Sequence, residues 1–170
     1  MSIFGAGERG NPGFNKLLMA GIGLGVVAVA VAVAILLNLP TAENKNKEML
    51  QGAAKEGSPE FDQYWQKLII TNDPRRMQQS KTGLGGIVMG LTGTIRNTGD
   101  KTITGLEVSV GMIDTKNELI KDKKVLVVPK YYPELKPGES ISVTVNIDGF
   151  SEEDDRANAR WKVTAMKFKE

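Results

Sequence analysis

The residues best placed by type to do chemistry are acids. Ser151-Glu152-Glu153-Asp154-Asp155, with Asp148 just before it, is the densest carboxylate cluster in the chain. Asp148, Glu152 and Asp155 are the acids an enzyme would use, but no base, metal ligand or pocket residue stands at a spacing that pairs with them. A calcium site needs oxygens converging on one centre, and this run departs from the EF-hand loop pattern. The plainer reading is a solvated loop or a short helix start with acids near its positive end.

The rest of the composition removes other chemistries. The chain has no cysteine and no histidine. Disulfides, thiolate nucleophiles, iron–sulfur clusters, Ser-His-Asp catalysis and nearly all zinc or axial-haem ligation are therefore excluded for this chain's own residues. Net charge is +2 over 170 residues, so no long-range field singles out nucleic acid. Gly83-Leu84-Gly85-Gly86 lacks the Lys-Ser/Thr ending of a phosphate loop and reads as a hinge. Lys121-Asp122-Lys123-Lys124 reads as a basic turn or solvated edge. No catalytic, cofactor-binding or metal-ligating set is assigned, and the expectation is a protein that is not an enzyme and needs no cofactor.

The strongest positive signal is apolar. Leu17 to Leu39 carries no charge and one polar side chain, Asn38. A helix of that length extends about 34 Å, enough for a hydrocarbon core of about 30 Å. The run is longer than a signal-peptide core, and a cleavage site after Ala42 would put Pro40 at a position that wants a small residue. Gly21, Gly25, Ala28 and Ala32 share one face at 4-3-4 spacing, where small residues let a second helix approach closely. Gly13-Phe14 resembles a prepilin cleavage junction, although Leu18 stands where such a junction has Glu. The basic residues flanking the run are nearly balanced and do not fix its orientation.

Beyond the span, residues 40–57 are polar and helix-compatible. Ser58-Pro59-Glu60 is a helix start, with a capping hydroxyl, proline in the first turn and an acid beside it. Phe61, Tyr64, Trp65, Leu68 and Ile69 then recur at helical spacing, so this stretch predicts a short amphipathic helix ending by Asn72-Asp73-Pro74. Its aromatic face suits the sandwich that follows, a membrane interface or a partner protein. From Ile87 the period changes to two. Alternation runs through 89–96, 106–112, 141–147 and 161–165, with a phase slip near Met166 that predicts a bulge before Phe168. Val125–Val128 is a continuous apolar run. Asn97-Thr98-Gly99-Asp100, Asp114-Thr115-Lys116-Asn117 and Pro137-Gly138 supply turn chemistry, with Asn97 and Asn117 suited to left-handed backbone. Tyr131 and Tyr132 lie between strands, suited equally to packing and to partner contact. The fold expected is mainly β, an antiparallel β-sandwich preceded by one transmembrane helix and one amphipathic helix. Its divisions are a tail (1–16), a membrane span (17–39), a helical connector (40–86) and a sandwich domain (87–170).

From about Leu91 to Phe168 the chain resembles the FxLYD-type, immunoglobulin-like domains of prokaryotic membrane-anchored and secreted proteins. Gly93-Thr94-Ile95-Arg96-Asn97 stands for the family's G-x-V-x-N before a polar turn, and Val110-Gly111-Met112-Ile113-Asp114 for F-x-L-Y-D. Leu135-Lys136-Pro137-Gly138-Glu139 stands for L-x-P-G-E. Of the name motif only Asp114 is kept. The resemblance implies a non-catalytic Ig-like module, usually extracytoplasmic, with Gly93, Asn97, Asp114, Pro137 and Gly138 as structural turn residues. The expected function is a single-pass accessory or assembly subunit of a membrane complex. Its contacts would be the bilayer, other chains through the Gly21-Gly25-Ala28-Ala32 face, and a partner or the membrane interface through Phe61, Tyr64, Trp65, Tyr131 and Tyr132. A stand-alone envelope module for a soluble ligand or polymer and a pilin-like surface subunit are the alternatives.

Overall fold

A computed structural model describes residues 29–34, 42–83 and 85–169. The chain divides into two compact units, 1–44 and 45–170. In the first, residues 29–34 are helical, and Val29, Val31 and Val33 are exposed. Among the described residues no helix is long and apolar enough to cross a membrane. The predicted span at 17–39 lies mostly outside the described residues, as do Gly21, Gly25 and Ala28; Ala32 is helical and exposed.

The second unit is mainly β. After helix α1 (Ala42–Met49) come β1 (Ala54–Lys55), helix α2 (Pro59–Tyr64), β2 (Leu68–Asn72) and β3 (Gln78–Lys81). Five long strands follow: β4 (Ile87–Asn97), β5 (Ile103–Ile113), β6 (Leu119–Val128), β7 (Ser140–Phe150) and β8 (Asn158–Phe168). One sheet has the order β1-β8-β5-β6. In the other, β4 pairs with β7 on one side and with β2 and β3 end to end on its other side. Every pairing is antiparallel. The chain changes sheet at the β1–β2, β4–β5, β6–β7 and β7–β8 connections, so the two sheets close over one apolar core in a sandwich-like arrangement.

The alternating residues build that core. Leu91 and Ile95 of β4, Val108 and Val110 of β5, Val143 and Val145 of β7, and Val163 of β8 all belong to it. Val125, Val127 and Val128 join them. Leu126 turns to the outer face of its sheet, where Leu50 and Ala165 cover it. The apolar run is therefore the end of a longer strand and buried on both faces.

Several expectations need correction. The 40–86 stretch is not a helical connector, because β1, β2 and β3 lie within it and pair with the sandwich. The amphipathic helix stops at Tyr64, passes through a 3-10 turn at Trp65–Lys67 and becomes strand at Leu68. Leu-Ile-Ile-Thr is rich in β-branched residues, and the open edge of β4 offers it a full ladder from Asn97 to Gly93. Where a hinge is expected at Gly83–Gly86, Thr82 N–H donates to Gly86 O at 2.7 Å and closes the β3–β4 hairpin; Leu84 lies outside the described residues. Lys121–Lys124 is strand and not a turn; Lys121 and Lys123 donate to Gly149 O and Asn146 O across the β6–β7 edge. The β5–β8 ladder slips at Thr104 of β5 and at Thr164 of β8; Met166 stays in register with Leu106, so the β8 bulge comes two residues before the predicted place.

Candidate functional site: an aromatic groove at the open sandwich edge

Helix α2 begins as its residues dictate. Ser58 Oγ accepts from Phe61 N–H at 3.4 Å, and Pro59 takes the first turn. Its last residue fixes it to the sandwich. Tyr64 is buried, and its hydroxyl meets Asn97 Oδ1 and Lys101 O at 3.0 Å and accepts from Lys101 N–H at 2.9 Å. The Tyr64 ring meets Phe168 edge to face at 4.7 Å between centroids.

Asn97 is the hub of this end of the fold. It is fully buried. Its Nδ2 donates to Lys101 O at 2.8 Å and Leu135 O at 3.2 Å, and its Oδ1 accepts from Gly99 N–H at 3.0 Å. Its own backbone accepts from Gly138 and donates to Glu139. Asn97 therefore serves the turn through its side chain and not through left-handed backbone; among the described non-glycine residues positive φ belongs to Asn117, at 66°. Gly138 has φ 77° after Pro137, the geometry the Pro-Gly pair implied. Glu139 accepts from Lys136 N–H at 2.9 Å, closing the same loop. Asp114 Oδ1 accepts from Lys116 and Glu118 N–H, both at 2.8 Å.

With Tyr64 pinned, Phe61 and Trp65 project beside β2 and β8. A groove of about 530 Å³ opens there, walled by Phe61, Trp65, Leu68, Ile70, Trp161 and Val163, with Glu56, Asp62 and Lys162 at its rim. Trp65 is 46 % exposed. Trp161 lies along β4 because position 93 has no side chain: a Cβ there would sit 2.9 Å from the indole. Gly93 is thus mid-strand and no turn residue; what it permits is this close approach. Asn72 Nδ2 donates to Asn158 Oδ1 at 3.0 Å and ties β2 to β8. The indole Nε1–H of Trp161 is buried with no acceptor among the described residues.

The remaining sequence candidates sit apart from the groove. Tyr132 packs on the core and donates to Ser142 O at 2.7 Å, whereas Tyr131 is exposed. The acidic run does not converge on a centre. Asp154 accepts from Ser151 N–H, Asp155 accepts from Thr115, and Glu152 pairs with Lys81. The Thr115 hydroxyl and N–H hold the Asp155 carboxyl below its ordinary pKa. Lys67 does the same to Asp100, and Lys169 with Lys136 to Glu134.

Sequence reading found Phe61 and Trp65 but not Trp161, which alternation marked only as a strand residue. The signal was available: Trp161 and Trp65 are the chain's two tryptophans, and Gly93 interrupts a strand of large residues. Partnering them requires knowing that β2 and β8 face each other across the sheets.

No known protein family matches this chain, and no curated protein does. Two of the solved structures that are similar to part of this chain follow. The Northeast Structural Genomics Consortium target SoR45 is 10 % identical with a TM-score of 0.39, over 61 % of this chain and 86 % of that one. A Bordetella pertussis protein described as ApaA is 15 % identical with a TM-score of 0.30, over 59 % and 87 %. At those scores neither informs the function of this chain.

Proposed function

We propose that this chain is a membrane-anchored, non-catalytic interaction module of the FxLYD, Ig-like kind, serving as an accessory or assembly subunit of a membrane protein complex. The observation that carries the reading is the Trp65–Trp161 groove. Tryptophan is the residue most enriched at interface hot spots, and here one ring stays half exposed beside another on a rigid wall. The strand order supports the Ig-like part, since the β4–β5, β6–β7 and β7–β8 crossings and the β8-β5-β6 and β3-β4-β7 sets follow that plan. The uncharged run at 17–39 supports a single-pass anchor, and the family resemblance supports an extracytoplasmic sandwich.

The test is affinity recovery of the full chain from native membranes after mild crosslinking, beside its Trp65→Ala variant. The reading expects one or a few stoichiometric partners with wild type and their loss with the variant at equal yield. A chain recovered alone from both, or partners indifferent to position 65, overturns it.

A further inference from the structure

The groove has a second property besides its aromatic lining. Its β8 wall is a sheet edge that the chain covers only in part. On that edge β1 pairs with Met166 and Ala165, and Glu56 N–H donates to Thr164 O at 3.4 Å. The chain then turns away through Gly57, at φ 86°, into α2. Among the described residues no backbone group pairs with Arg160–Val163 on this side; their ladder runs to β5 alone. An unpaired edge of this kind is a template for an added strand.

The side chains along the edge define what that strand must carry. Trp161 and Val163 turn into the groove. Arg160 and Lys162 turn to the outer face of the sheet, in a shallow hollow that also holds Lys124, Ser109 and the acids Glu56 and Asp122, and Arg160 donates to Asn117 O at 2.7 Å. The chain itself displays the chemistry this face takes: Glu56, the last residue in line with β1, places its carboxylate 2.6 Å from Lys162 Nζ. A second copy fits poorly. Antiparallel β8–β8 pairing centred on Trp161 would set Arg160 opposite the other copy's Lys162, like charge on like charge.

We infer that the free edge of β8 along Arg160–Val163 accepts an extended protein segment in which apolar side chains, turned into the Trp65–Trp161 groove, alternate with acidic ones turned onto Arg160 and Lys162. The segment continues the line of β1 where the chain leaves it. Backbone pairing supplies affinity, the groove selects apolar residues at alternate positions, and the basic pair selects acids between them. This rests on the interaction-module reading and deepens it by naming the partner's pattern.

The full chain in a zwitterionic detergent supplies its own probe, because both of its tryptophans line the groove and selectively excited tryptophan emission reports on it. It is titrated with a short peptide alternating valine and glutamate, with its valine–lysine counterpart, and with the glutamate peptide N-methylated at alternate backbone nitrogens. The glutamate peptide binds about tenfold more tightly than the lysine peptide, two exposed charge contacts being exchanged for two repulsions. N-methylation abolishes binding, and the Arg160→Glu, Lys162→Glu double variant reverses the preference. Both positions are exposed, so the variant folds, which circular dichroism verifies. Equal affinity for the two peptides, or no binding of either, overturns the inference; so does sedimentation showing that the chain dimerises through this edge. If neither peptide binds while Trp65→Ala still releases a crosslinked partner, the strand-addition inference falls and the interaction module stands. If Trp65→Ala changes nothing either, both fall.

Discussion

Replacing Asn97 by alanine tests whether one buried amide holds α2, and with it Trp65, on the sandwich. The wild-type side chain makes four hydrogen bonds, to Lys101 O, Leu135 O, Gly99 N–H and the Tyr64 hydroxyl, at 2.8 to 3.2 Å. Three of those partners keep another bond after the substitution. Leu135 O still accepts from Ile103 N–H at 3.0 Å, and the Tyr64 hydroxyl and Lys101 still hold each other. Gly99 N–H is left with none. Each bond whose partner is re-satisfied is worth about 0.5–1.5 kcal/mol, and the orphaned donor costs about 1–3 kcal/mol. The loss is therefore about 3–7 kcal/mol, a large share of a stability of about 5–15 kcal/mol. Urea unfolding followed by tryptophan fluorescence and far-ultraviolet circular dichroism measures it. Tyr64→Phe removes the hydroxyl alone, leaves the N–H of the exposed Lys101 to water and loses about 1–3 kcal/mol. The double variant falls short of additivity by about 1 kcal/mol, because the two residues share one bond. A loss under about 1 kcal/mol for Asn97→Ala, or strict additivity with Tyr64→Phe, refutes the hub.

Gly93→Ala puts a methyl group 2.9 Å from the Trp161 indole, against an ordinary contact of about 3.5–4.0 Å, so the ring must retreat into the groove. Overpacking of about 1–3 kcal/mol, offset by about 0.5–1 kcal/mol from the lost flexibility of glycine, leaves a net loss of about 1–2 kcal/mol with an altered emission spectrum; an unchanged midpoint and spectrum contradict it. Asn117→Gly relieves the left-handed backbone at φ 66° and raises stability by about 0.5–1 kcal/mol in the same assay, while Asn117→Ala lowers it. Asp100, Glu134 and Asp155 all have folded pKa values below their ordinary 3.8, 4.5 and 3.8, so their stabilisation is complete above those values and is lost as pH falls through the lowered ones. The urea midpoint therefore declines below about pH 4. Added salt blunts the Asp100 and Glu134 parts, which face lysines, and spares the Asp155 part, which faces a hydroxyl; a midpoint flat from pH 5 to 2 contradicts the assignment.

The sandwich core was legible because its information is local. Leu91, Val108, Val143 and their alternating neighbours face one side of a strand whichever strand lies beside it. The helix cap at Ser58 and the turns at Asp114 and Pro137-Gly138 were legible for the same reason, each satisfied within about five residues. The misreadings share an opposite cause. Leu68 and Ile69 continue the helical spacing of Phe61 and Tyr64, and only the unpaired edge of β4 turns them into strand. Lys121 and Lys123 read as a turn because their carbonyl acceptors lie on β7, more than twenty positions away. Gly93 read as turn chemistry because glycine serves turns and close approaches alike, and the approaching ring, Trp161, arrives from the far end of the sequence. Half of the groove was visible as an aromatic helix face; the half contributed by β8 is a consequence of topology.

The account turns on whether position 65 touches a protein partner in the membrane. A photo-crosslinking amino acid at Trp65 in cells, with a second placed at the exposed Thr94 on the outer face of the β4 sheet, measures that contact. The account predicts a discrete crosslinked band from position 65 in the membrane fraction and none from position 94. Lipid-only or absent adducts at 65, or equal protein adducts from both positions, would contradict it.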